Sequence, residues 1–162
     1  MRQWQRRVLG ILALGGSFTG LAVGLAALIA PGGTLAKVLV LPFLALYVWG
    51  IVCGLRLIEG RDDVLRQNLY FWLMQIPFLM SPIAGYSFAS GASLHLKYQP
   101  SSAEWDFFAR IGSQFEYSLL QGKPLIVGVN LVAVGVSIFL VLVVRKAPPN
   151  NSFKPNPLRG SA

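Results

Sequence analysis

Four stretches without a charged side chain dominate this sequence: residues 8–36, 38–55, 67–96 and 124–144 hold no Asp, Glu, Lys or Arg. They run to 29, 18, 30 and 21 residues. A helix needs about 20 apolar residues to cross roughly 30 Å of hydrocarbon, so each run supplies most or all of one crossing. The pattern predicts an all-α integral membrane domain over residues 1–146. Its four spans fall at about 8–30, 37–57, 69–90 and 124–144, with an outer loop over 91–123. Composition points the same way, with 54% hydrophobic and 12% charged residues, where a soluble domain carries about a quarter charged.

The formal charge of +8 has a specific address. Arg2, Arg6 and Arg7 precede the first run, Lys37 separates it from the second, and Arg145, Lys146, Lys154 and Arg159 follow the last. In the loop 56–66, Arg56, Arg61 and Arg66 are balanced by Glu59, Asp62 and Asp63; Lys97, Arg110 and Lys123 are balanced by Glu104, Asp106 and Glu116. Basic residues resist translocation, so the arrangement with both termini and loop 56–66 in the cytoplasm is expected. The basic ends then lie against anionic headgroups, and the lipid bilayer rather than nucleic acid is the expected partner.

The first span ends at Pro31-Gly32-Gly33, a helix stop followed by a tight reversal. A cleaved signal peptide is its rival reading, with Arg6-Arg7 ahead of the apolar run and small residues at Gly24-Leu25-Ala26. Tyr47 and Trp49 near the inner end of the second span, and Tyr70 and Trp72 at the start of the third, form aromatic pairs at one interface. The third span carries Gln75, Pro77, Pro82 and Gly85 and is expected to be kinked or interrupted. Beyond it, Leu94-His95-Leu96-Lys97-Tyr98-Gln99 alternates apolar with polar and suits a short extended segment. Ser101 and Glu104 then stand at capping-box spacing, and Trp105, Phe108, Ile111, Phe115 and Leu119 recur at steps of three and four. That predicts an amphipathic helix on the outer surface.

Residues 147–162 are rich in proline and asparagine and are expected to be disordered. From Asn150 to Gly160 the string Asn-Asn-Ser-Phe-Lys-Pro-Asn-Pro-Leu-Arg-Gly resembles a translated repeat extension that recurs on otherwise unrelated proteobacterial proteins. The resemblance covers the tail alone; it implies a bacterial source, hence the inner membrane, and nothing about activity.

The inventory for chemistry is small. One cysteine, Cys53, excludes an internal disulfide, and one histidine, His95, makes a zinc site unfavourable. Gly85-Tyr86-Ser87-Phe88-Ala89 and Gly135-Val136-Ser137-Ile138-Phe139 begin like nucleophile elbows and lack the second glycine. His95 with Glu104 or Asp106 is a possible acid/base set of the kind that any loop of this size contains. No catalytic residue, cofactor or metal is expected. A transport path has neutral candidates in Gln75, Pro77 and Asn130; the competing reading is hydrogen bonding between helices.

Gly16, Gly20 and Gly24 place three glycines on one helix face, which favours close packing either within the chain or against a second copy. The outer loop is more aromatic than a connector requires, and Phe107 and Tyr117 are candidates for a partner surface, the partner being another membrane or periplasmic protein. The expected function is a non-catalytic accessory, sensor or assembly component acting through the outer loop. A small pore or facilitator for an ion or solute is the alternative.

Overall fold

A computed structural model of the chain describes residues 1–61, 64–120 and 122–146; the tail 147–162 lies outside the described residues. Two long helices come first, α1 (Gln3–Ile29) and α2 (Thr34–Ile58), joined by the Pro31–Gly33 reversal. They pack on each other along their length. Gly10 and Gly54 mark their closest approach, where a Cβ on Gly54 would lie 2.8 Å from the Gly10 carbonyl oxygen. Both helices are long and apolar enough to cross a membrane, a test that a signal sequence or a buried core helix also passes.

After the short α3 (Leu65–Leu73) the expectation of an all-α, four-span bundle fails. Where spans over 69–90 and 124–144 were predicted, the chain forms β1 (Pro77–Met80), β2 (Ala84–Ala89) and β6 (Ile126–Asn130), and only 131–146 remain helical, as α4 (Leu131–Lys146). The extended segment expected over 94–99 lies within β3 (Ala92–Gln99). The amphipathic helix expected after Pro100 is instead the pair β4 (Glu104–Ile111) and β5 (Gln114–Leu119). The physical reason is local. Pro77 and Pro82 remove helical donors five residues apart, and Tyr86, Phe88, Ile126, Val127 and Val129 are aromatic or β-branched residues that fit a pleated surface better than a helix.

The six strands make one antiparallel sheet in the order β4-β3-β6-β1-β2-β5. Laid flat, its edge strands β4 and β5 would stand about 24 Å apart, at roughly 4.8 Å per strand. Yet Ile111 ends β4 and Gln114 begins β5, a step of three residues that spans at most about 11 Å. The sheet must therefore roll. Arg110 on β4 donates through Nη1 to Gln114 Oε1 on β5 at 3.0 Å, which identifies the side that carries Arg110 as the inside.

The roll is seated against the half of the hairpin nearer the 31–33 reversal. Tyr117 donates its hydroxyl to the Ala36 carbonyl at 3.0 Å. Phe43 of α2 meets the rings of Tyr86, Phe88, Phe115 and Tyr117 at centroid distances of 5.3–6.3 Å, and the Tyr47 hydroxyl reaches the Ala89 carbonyl. Ser17 of α1 and Ser90 of the β2–β3 turn share a hydrogen bond at 3.0 Å. The other half of the hairpin is covered by α3, on which α4 packs in turn: Asn68 donates to the Cys53 carbonyl, and Phe71 packs edge-on to Trp49.

Candidate functional site: the two faces of the rolled sheet

Register assigns every strand side chain to one of two faces. Leu96, Phe107, Val129 and Phe88 lie on the outer, convex face, as do Tyr98, Trp105, Val127, Leu79, Tyr86 and Tyr117 one row further from α4. His95, Phe108 and Asn130 lie on the inner, concave face, with Lys97, Asp106, Phe78, Ser87 and Glu116 in the next row.

The chemistry of the two faces is inverted relative to a water-soluble sheet. On the concave side His95 is 1% exposed, and Ser87, Ser93, Ser118 and Asn130 are buried with it. Both ring nitrogens of His95, the three serine hydroxyls and the Asn130 Nδ2 make no hydrogen bond within the described residues. The Phe78 ring stands edge-on to His95 at 5.6 Å, across Gly128, where a Cβ would lie 2.6 Å from the Leu96 carbonyl oxygen. The Lys97 ammonium lies over Phe78 at 4.5 Å and over Phe108 at 5.1 Å, and the Arg110 guanidinium flanks Phe108. Glu116 is ion-paired with Lys123 at 3.0 Å.

Such a surface can hold a small polar group or water by hydrogen bonds, in a setting where an unmade bond costs roughly 1–3 kcal/mol per group. The convex side is apolar and largely open: Trp105 is 64% and Phe107 66% exposed, and Leu79, Val127 and Val129 are exposed beside them.

The predicted site residues distribute unevenly over this frame. Gln75, Pro77 and Asn130 come together at the junction where α3 enters β1 and β6 leaves for α4. There Asn130 N–H donates to the Ile76 carbonyl at 2.9 Å, and Pro77 pairs with Val129. Gln75 accepts from Ser90 N–H at 2.8 Å and donates to the Phe71 carbonyl. The Asn130 Oδ1 accepts from the backbone of Leu94, Val132 and Ala133, capping α4. Pro77 opens a strand and kinks no helix.

Phe107 and Tyr117 stand on the two edge strands, β4 and β5; Tyr117 is spent on Phe43 and Ala36, and Phe107 is exposed. Gly16 abuts the backbone of Ser90 and Gly91, Gly20 the Tyr47 ring, and Gly24 the Leu44 side chain. Register sets Phe108 opposite His95, Lys97 opposite Asp106 and Gln99 opposite Glu104, and no carboxylate is hydrogen-bonded to His95 among the described residues.

Of the buried serines on the concave face only Ser87 is singled out by the sequence, as an incomplete nucleophile elbow, and Ser93 and Ser118 are not. The alternation over residues 94–99 marks a strand without saying which polar groups of other strands share its face. Comparison with family models, with curated proteins and with solved structures finds no match to this chain.

Proposed function

We propose that the chain is a membrane-anchored, non-catalytic component of a bacterial inner membrane, an accessory, sensor or assembly subunit whose working part is the rolled sheet. The α1–α2 hairpin is the anchor, with both termini cytoplasmic and the 31–33 reversal outside. The observation that carries this reading is the joint between anchor and sheet. Buried contacts tie Ser17 to Ser90 and Tyr47 to Ala89, and a half-buried one ties Tyr117 to Ala36, so the sheet is held rigidly by the anchor rather than hung from it. Polar groups that could serve chemistry at the junction, Gln75 and Asn130, are bonded to backbone of neighbouring elements, a structural use.

Two measurements test it. Reporter fusions at residues 33 and 61 should read outside and inside. Purification of the full chain from its native membrane should bring down a stoichiometric partner protein. A cleaved first helix, or a chain recovered alone from gentle detergent, overturns the reading.

A second reading, a binding protein or facilitator for a small polar solute, has its own observation in the unpartnered His95, Asn130, Ser87, Ser93 and Ser118. Solute flux into vesicles that is lost in Ser87→Val and His95→Leu would favour it over the first.

A further inference from the structure

We infer that the rolled sheet lies within the bilayer, in the leaflet on the 31–33 side, with its convex face against lipid acyl chains. The inference rests on the reading of α1–α2 as a membrane hairpin and adds what that reading leaves open, the depth of the sheet and the occupant of its exposed face.

Depth follows from where the sheet touches α2. Tyr117 meets Ala36, the Phe43 ring meets β2 and β5, and Tyr47 meets Ala89. Those contacts run over residues 36–47, about 17 Å of helix axis at 1.5 Å per residue. A hairpin that crosses the hydrocarbon therefore carries β2 and β5 down with it, because they flank α2 from its first turn to its middle.

Chemistry agrees with that depth. On the convex face the described strand residues include no charged side chain, whereas Lys97, Glu104, Asp106, Arg110 and Glu116 are all assigned by register to the concave face. Apolar outside and polar inside is the arrangement that sheets adopt in lipid and the reverse of the one they adopt in water. The row nearer the 31–33 reversal ends in Tyr98 packed against Trp105, their ring centroids 4.7 Å apart, where an interfacial belt places amphipathic rings.

The lipid surface is also continuous with the helices. The exposed Met74 of the α3–β1 junction leads onto Leu79, and exposed Val127 and Val129 lead onto Leu131 and Ile138 of α4. Leu79, Val127 and Val129 sit on strands paired on both sides, so their backbone is satisfied without water, as hydrocarbon requires. At the connection between them the end of β4 is held beside the start of β5, Arg110 donating to Gln114.

The test uses single spin labels on the full chain, in a Cys53→Ala background, reconstituted into phosphatidylethanolamine–phosphatidylglycerol vesicles. Accessibility to oxygen, which partitions into lipid, is compared with that to a water-soluble nickel chelate. Labels at Phe107→Cys and Val127→Cys should show an oxygen-to-nickel ratio several-fold above Asp106→Cys, and comparable with Phe18→Cys on the exposed side of α1. Trp105→Cys should lie shallower than Phe107→Cys.

Nickel access at 107 and 127 with oxygen access kept at 18 overturns the inference and leaves the anchor standing. Protection from both reagents at 107 and 127 overturns it in favour of a protein covering, whether a partner or a second copy. Nickel access at 18 as well brings down the membrane reading itself. Val127→Cys is a near-isosteric change, so a folding failure at Phe107 leaves the measurement intact.

Discussion

Gly15 and Gly16 are neighbours in α1 with opposite prospects. A methyl group on Gly16 would enter the backbone of Ser90 and Gly91, and Gly91 cannot swing aside: its φ is +93° and its own Cα side faces the Leu12 carbonyl. Gly16→Ala should therefore cost about 1–3 kcal/mol by overpacking. Gly15 faces open space, so Gly15→Ala should gain up to about 1 kcal/mol of helix propensity. Thermal unfolding of the two variants in one detergent checks the contrast, and equal shifts would show that the β2–β3 turn does not press on α1. The small-residue face itself was legible, because three glycines four apart can have little other effect in a helix. What approaches it was not, since a glycine specifies a short distance and not the identity of the neighbour.

At the scale of elements, the chain changes from strand to helix at Asn130, which closes both. Its Oδ1 takes the second and third N–H groups of α4 and the N–H of Leu94 on β3. Asn130→Ala should cost about 1–2 kcal/mol through the lost cap, and amide exchange should quicken in the first turn of α4 and at Leu94 while the hairpin stays protected. Exchange rising uniformly across the chain would instead mean that the residue holds the whole fold. The polar residue was visible in the sequence; the change of element at it was not, for a reason that also hid β1 and β2. Alternation betrays a strand when one face meets water. Here Leu79 faces outward and Phe78 and Met80 inward, all apolar, so the run reads as continuously hydrophobic and imitates a span. β3 was legible because Ser93, His95 and Lys97 share the polar concavity. β4 and β5 were misread for a different reason: Trp105, Phe108, Ile111 and Phe115 satisfy helical spacing, yet Trp105, Phe107, Ile111 and then Phe115, Tyr117, Leu119 satisfy alternation equally well. Only the long-range pairing with β3 and β2 separates the two, and a local window does not contain it.

For the whole molecule the governing fact is that hairpin and sheet share a core. Phe43, Tyr47, Phe71 and Phe88 are buried together, three from helices and one from β2. The hairpin cannot move against the sheet without opening that cluster, in which the rings of Phe43, Tyr47 and Phe71 lie 5.0–6.3 Å from that of Phe88. Ser17 and Ser90 offer a direct test, since their hydroxyl oxygens lie 3.0 Å apart at the centre of the joint. Replacing both by cysteine in a Cys53→Ala background brings two sulfurs within a small adjustment of bonding distance. A membrane-permeable oxidant should then close an intramolecular disulfide in nearly every chain, seen as faster migration on a non-reducing gel. Because the bond closes a long loop, it should also stabilise the fold by about 2–4 kcal/mol. The same gel decides what the glycine face of α1 is for. If Gly16 receives the β2–β3 turn of its own chain, the product is monomeric at any protein density in the membrane. If that face meets a second copy instead, Ser17→Cys pairs between chains, a dimer band grows with density, and the joint described here gives way to a homodimer seam.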